Sequence, residues 1–483
     1  MSALQRTLLG CFATALLGGV STYAAASEAS SAPDSIQSGP PQPGPPRPFQ
    51  LPSPVSISLP NGLQATFIDF GVVPKVSIAI SVRTGNLNEG SQTWLSDLTT
   101  DLLKEGTQSR SAEQIAEAAT LMGGEVNVGV GADTSSLSLD VLSEFAPDAV
   151  ALLAELLTQP KLPASELPRI RQNYLRNLSV ALTQPQALAS AAMAELLYPG
   201  HPYGKSFPTQ QQLESYRIED VRKYYEANFG ARRTHLYIAG KFDRAAVEQA
   251  IRDRLGNWRA GPEPLQLPPP ASAPRAVKLI ERPNAPQSTL RIGLRVSDPT
   301  QPDFMSLSVA NTLLGGVLTS RITMNLREDK GWAYSPGSTL ATHYHQAAWI
   351  ENADVKAAVT GPAIGEVFKE IDRLRAEPPS TAELTAIKNY RNGIFVMSNA
   401  TRGGLIGQLA FMDLQGLSAD WLTTFVARLY AVTPDQVMQA AKQHLDPARM
   451  SVVVVGDQAT VQPQIEALAP LRDAHAGGAA AKQ

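Results

Sequence analysis

"IEDVRKYYEANFGARRTHLYIAGKFD", Ile218 to Asp243, returns in altered form as "TPDQVMQAAKQHLDPARMSVVVVGDQ", Thr433 to Gln458. Each stretch begins as an acidic-started helix, passes a short basic turn, and ends in an apolar strand closed by glycine. The intervals from Val221 to Gly240 and from Val437 to Gly456 are both 19 residues. A repeat of this kind predicts one supersecondary unit built twice. The openings of the two units agree as well. "PKVSIAISVRTG" (Pro74 to Gly85) and "PQSTLRIGLRVSD" (Pro286 to Asp298) both alternate apolar and polar residues, as half-buried strands do.

Within the first unit, "WLSDLTTDLLKEGT" (Trp94 to Thr107) predicts a helix that ends near Gly106, and Ser111 with Gln114 predicts a capping box on a second helix. Alternation through Val126, Val128 and Val130, then Leu137, Leu139 and Val141, predicts a hairpin. Helical patterns follow in "PDAVALLAELL", "ASELPRIRQNYLRNLSVAL" and "PQALASAAMAELLY". Strands and helices grouped this way predict an α+β class: two homologous α/β-sandwich halves, each a mixed sheet with helices on one face.

A chain of 483 residues with 43% hydrophobic residues can bury more than one core. Its net charge of -3 creates no field that would draw nucleic acid or an anionic membrane, which leaves small molecules, peptides and proteins as partners. The start, "MSALQRTLLGCFATALLGGVSTYAAASEASS", has Arg6, an apolar run and then Ala24 to Ala26, the pattern of a cleaved signal over 1–26 and of export to the periplasm. "LLGC" at Leu8 to Cys11 resembles a lipoprotein box but leaves little apolar run before the cysteine. Cys11 is the only cysteine, so after cleavage neither a disulfide nor a thiolate nucleophile is available. No later run reaches membrane-spanning length. Proline-rich segments at 27–54 and 260–275 read as a leader and a linker, bounding halves at 55–259 and 276–471 and a flexible tail at 472–483.

On a helical wheel, Trp94, Leu95, Leu98, Leu102 and Leu103 share one face, and Asp97, Thr100 and Asp101 share another that is expected to look outward. Spacing of i, i+3, i+4 can bring two ligands and a base to one point, but these residue types argue against zinc. His343 and His345 alternate on a predicted strand without an evident third ligand, and His201 in "GHPYG" reads as a turn cap.

Four features in order, "LLKEGTQSRSAEQIAEAATLMGGEVNV", "YPGHPYGKSFPT", the strand ending at Gly240, and "LTSRITMNLREDKGWAYSPGS", make the chain resemble the pitrilysin/insulinase family of metallopeptidases over Leu51 to Leu471. Active members carry an inverted His-x-x-Glu-His zinc motif and a later glutamate ligand. Matching Gly106 and Thr107 to the family's pattern puts Asp97, Thr100 and Asp101 at the motif's positions. Counting back from His201 puts Asn177, or a neighbour, at the later glutamate. Threonine cannot take up a proton at neutral pH and asparagine is a poor zinc ligand, so the resemblance implies a degenerate site that binds no cofactor.

In the family's bacterial two-subunit members, one chain holds zinc and the other supplies a substrate-binding arginine and tyrosine. "REDKGWAY" matches that element through Arg327 and Tyr334. The resemblance therefore implies a periplasmic heterodimer in which a zinc-bearing homologous subunit cleaves peptides while this chain acts in trans. The Val126, Val128, Val130 hairpin would add substrate as a further strand. Three alternatives stay open: a surface pair of Arg327 with Glu328 or Asp329, a stand-alone binding or scaffold protein, and a hard cation such as calcium or magnesium on Asp97 and Asp101.

Overall fold

The computed structural model describes residues 53–468. The expected signal sequence, Cys11, the leader up to residue 52 and the tail at 472–483 lie outside the described residues. Strands β1 (Val55–Ser58), β2 (Gln64–Asp69), β3 (Lys75–Val82), β4 (Asn127–Val130), β5 (Ser135–Leu142) and β6 (Thr234–Gly240) form one sheet in the order β1-β2-β6-β3-β5-β4. Strands β7 (Val277–Glu281), β8 (Gln287–Val296), β9 (Gly337–His343), β10 (Gln346–Lys356) and β11 (Ser451–Gly456) form the other, ordered β7-β11-β8-β10-β9.

Apart from β1 the two orders coincide. The late strand of each half enters between two early ones, β6 between β2 and β3 and β11 between β7 and β8, parallel to the first and antiparallel to the second of each pair. The repeated glycines have a steric reason. A Cβ on Gly240, whose φ is +139°, would lie 2.2 Å from the Lys75 carbonyl oxygen, and one on Gly456 would lie 2.6 Å from Ser288 Oγ.

Helices of the first half are α1 (Leu95–Leu103), α2 (Ala112–Leu121), α3 (Ala146–Thr158), α4 (Leu167–Ala181), α5 (Pro185–Leu197), α6 (Gln210–Ser215), α7 (Ile218–Asn228) and α8 (Arg244–Leu255). Those of the second are α9 (Phe304–Leu314), α10 (Arg321–Thr323), α11 (Thr360–Ala376), α12 (Thr381–Asn399), α13 (Arg402–Gln415), α14 (Phe425–Ala431), α15 (Pro434–His444) and α16 (Gln458–Ala467). The predicted capping box on α2 is formed, with Ser111 Oγ accepting from Gln114 N and Gln114 Oε1 accepting from Ser111 N. No helix among the described residues is long and apolar enough to cross a membrane.

Each sheet carries helices of its own half on one face, as expected, and the other half covers its second face. Along β6, Leu236 and Ile238 enter the first half's core, whereas Tyr237 and Ala239 join the second half's core with Leu405 and Ile406 of α13. Along β11, Val452 and Val454 enter their own core, whereas Val453 and Val455 pack on Ala189, Ala192 and Met193 of α5. Each half thus lends one helix to the outer face of the other's sheet. Strands apolar on both faces, such as "VVVV", require this arrangement.

Candidate functional site

The expected outward face of α1 is not outward. Thr100 is 1% exposed and Asp97 and Asp101 are only partly exposed, because α4 and β4 close over that side of the helix. The polar groups are therefore satisfied internally. Asn86 Nδ2 donates to Asp97 Oδ2 at 2.8 Å, and Tyr174 of α4 donates its hydroxyl to Asp101 Oδ2 at 2.8 Å. Thr100 Oγ1 donates to Ser135 Oγ at 3.3 Å, and Ser135 in turn donates to the Thr84 carbonyl at 2.8 Å. The Tyr174 ring lies 5.7 Å from Trp94, which lies 6.0 Å from Phe207. Asn177 sits one turn further along α4 and is exposed. The α4 side chain that reaches this cluster is Tyr174, which the sequence reading missed.

Glu89 organises the start of α1. Trp94, the residue before the helix, has φ +68° and gives no side-chain cap. Glu89 accepts instead from Trp94 N at 3.0 Å, from Ser96 N at 2.9 Å and from the Ser96 hydroxyl, while Asn86 Nδ2 bridges to it at 3.0 Å. Burial pushes the Glu89 carboxyl up to about 7, against the pull of those donors, and Asp97 adds to the rise. Asp97 is itself raised by burial, partly offset by Asn86 and Ser96. Because the folded value for Glu89 lies above the unfolded one, the stability it contributes is full below the ordinary carboxylate range and is lost as pH rises toward 7. Glu89→Gln, neutral throughout, is expected to flatten this part of the stability profile, measured as urea midpoints between about pH 4.5 and about pH 7.

Zinc does not fit this donor set. It contains no imidazole, both carboxylates are already hydrogen-bonded, and Thr100 cannot act as a base at neutral pH. Among the described residues, no group of three or more His, Cys, Asp and Glu side chains could hold a metal ion. The histidines diverge too. His343 stacks on Tyr203 at 4.2 Å and faces Asp133 at 3.8 Å, whereas His345, in the turn after β9 with φ +50°, lies against Tyr344. His201 Nδ1 accepts from Tyr203 N at 3.2 Å.

The structure does bring Arg327 and Tyr334 together. Arg327 lies in a π-helical turn, Met324–Asp329, that continues from α10, and Tyr334 lies in the loop leading to β9. That loop is held by Trp332 N and Ala333 N, which both donate to the Leu326 carbonyl. Arg327 Cζ sits 5.1 Å from the Tyr334 ring centroid, its Nε is 3.1 Å from Glu328 Oε1, and Tyr334 is 80% exposed. The ring and the cation support each other, and the hydroxyl faces solvent. In the hairpin, β4 is the sheet edge and lies beside α1. Val126 precedes the strand, and Val126 and Val128 turn toward the core, so a bound strand would meet main-chain groups rather than these side chains.

The profile described as insulinase (peptidase family M16) matches residues 71–208, and that of the peptidase M16 inactive domain matches residues 215–390. The chain is 24% identical over 388 residues to the uncharacterized zinc protease YmxG of Bacillus subtilis, covering 79% of this chain and 93% of that one. The uncharacterized zinc protease Rv2782c of Mycobacterium tuberculosis is 25% identical over 368 residues, 73% of this chain and 80% of its own. Among solved structures, a peptidase M16 inactive domain from Pseudomonas fluorescens superposes with TM-score 0.79 at 23% identity, over 84% of this chain and 98% of that one. The periplasmic protease PqqL of Escherichia coli superposes with TM-score 0.74 at 17% identity, over 85% of this chain and 46% of its own length. With both halves matched and the duplicated sheet order in place, the chain belongs to the pitrilysin/insulinase family, peptidase family M16.

Proposed function

We propose that the chain is the subunit without a zinc site of a periplasmic, heterodimeric M16 peptidase, and that it assists peptide hydrolysis at the zinc of a homologous partner. One contrast carries this reading: the polar groups of α1 are committed to Asn86, Ser135 and Tyr174, while Arg327 and Tyr334 stand paired on a firmly held loop with the hydroxyl free. A guanidinium can grip a peptide carbonyl or carboxylate, and a phenol can donate to an oxygen that becomes negative in a tetrahedral intermediate. The β4 edge supplies main-chain groups for an extended substrate. Export rests on the amino-terminal pattern around Arg6 and Ala24 to Ala26, and one structural neighbour is a periplasmic protease.

A tagged copy expressed in the native host is expected to bring down a relative of similar size bearing His-x-x-Glu-His. The purified chain alone is expected to hold less than stoichiometric zinc and to show no chelator-sensitive cleavage of unstructured peptides. Recovery solely as a monomer or homodimer would favour a scaffold. One tightly bound cation per chain, lost when Asp97 and Asp101 become alanine, would favour an aspartate-based site.

A further inference from the structure

Duplication makes α9, α12 and β9 the second-half counterparts of α1, α4 and β4, and a different chemistry occupies that place. Arg391 of α12 donates through Nη1 to the Ser308 carbonyl at 3.2 Å and to the Thr312 hydroxyl at 2.8 Å, both on α9. Its Nε has no acceptor among the described residues. Burial pushes the guanidinium down to about 10, with no carboxylate near enough to raise it again. Two cavities of about 480 and about 400 Å³ meet at this side chain, with Trp421 and Phe425 bordering both. Among the described residues, neither has an aspartate or glutamate in its lining. The larger also reaches Leu340 of β9, the edge strand of its sheet, and Ile394 at 45% exposure.

We propose that this cleft binds the free C-terminal carboxylate of a peptide ending in an apolar residue. The argument has three parts. A desolvated guanidinium without a counter-charge is unfavourable until an anion joins it, and its forked donors match a carboxylate. The aromatic walls take an apolar side chain rather than a second charge. An open strand edge beside them hydrogen-bonds an extended main chain, which selects a peptide over an isolated acid. This site lies in the second half and is independent of the function proposed for Arg327 and Tyr334.

The test uses the full chain and two fluorescein-labelled hexapeptides of one apolar sequence ending in leucine, one with a free C-terminus and one amidated, followed by polarisation. The free acid is expected to bind about tenfold tighter or more, as a charge-assisted pair contributes. Arg391→Gln is expected to erase the preference. Arg391 also ties α12 to α9, but loss of that role alone would weaken both peptides alike. Ile394→Glu places a repelling carboxylate at the exposed mouth and is expected to weaken the acid selectively; it decides the matter if Arg391→Gln does not fold. Equal binding of acid and amide, no binding of either, or a preference that survives these substitutions would overturn the proposal. So would decanoate displacing the probe as well as the unlabelled acid peptide, since the ligand would then be an apolar acid and not a peptide end.

Discussion

If the chain serves a zinc-bearing partner as proposed, Tyr334→Phe is expected to lower the turnover of the assembled pair about a hundredfold or more while the complex stays intact, because a single lost oxyanion donor raises the barrier by about 2.7 to 4 kcal/mol. The substitution isolates the hydroxyl, because the ring that carries the Arg327 guanidinium at 5.1 Å is retained. Arg327→Ala is expected to act mainly on KM, since a group proposed to grip substrate before and during reaction would contribute uniform binding. Arg327→Lys restores this in part, because an ammonium lacks the fork. Glu328→Ala removes the 3.1 Å partner of Arg327 and is expected to matter little, as exposed pairs contribute about 0 to 1 kcal/mol. Steady-state cleavage of a fluorogenic peptide by the reconstituted pair is the measurement, with size exclusion confirming assembly. Wild-type kinetics from both the Tyr334 and Arg327 variants would reduce the segment to a structural loop.

The duplication was legible because it is local. A helix, a turn and a strand closed by glycine keep their spacing at Gly240 and Gly456 whatever packs around them. The second cover on each sheet was harder to see, since it comes from the other half. Its signal lay in strands with no polar face, "LYIA" and "VVVV", which a sheet with one solvated side would not tolerate. The face of α1 was misread for a related reason. A helical wheel assumes that polar residues seek water, whereas Asp97, Thr100 and Asp101 find partners 11, 35 and 73 residues away in Asn86, Ser135 and Tyr174. Counting from His201 to Asn177 crosses the junction between α4 and α5, and the side chain that reaches Asp101 is Tyr174, one helical turn before the exposed Asn177. The pairing of Arg327 with Tyr334 was legible only through family resemblance, because a π-helical turn brings them together and periodicity does not predict one.

Glu351→Leu is expected to stabilise the chain by at least about 2 kcal/mol at neutral pH, the scale of a buried polar group left poorly paired. Register gives the reason for choosing leucine. Ile80 pairs with Leu137 and Ile292 pairs with Glu351, and Ile80 and Ile292 hold the same place relative to β6 and β11. The first half therefore keeps leucine, fully buried, where the second has glutamate. Glu351 is 1% exposed, and among the described residues its carboxyl oxygens make no hydrogen bond of good geometry, the Gly337 amide being only a weak partner. Burial raises this carboxyl well above its ordinary value, only partly offset by the Gly337 amide and the Arg291 charge. A raised folded value means that the stability contribution is complete below the unfolded value and is lost as pH rises through the folded one. Near pH 4.5 the gap should be the cost of the unpaired neutral carboxyl alone, and it should widen by up to about 1.4 kcal/mol for each pH unit above that. Urea unfolding of the isolated chain at about pH 5 and about pH 8 measures this. Glu351→Gln, which keeps the shape without the charge, should lose the pH dependence but gain less stability, because its amide stays unpaired. A gap of equal size at both pH values would mean that Glu351 finds a partner in solution, and a destabilised leucine variant would mean that the pocket beside Gly315 and Ser338 is shaped for the carboxyl.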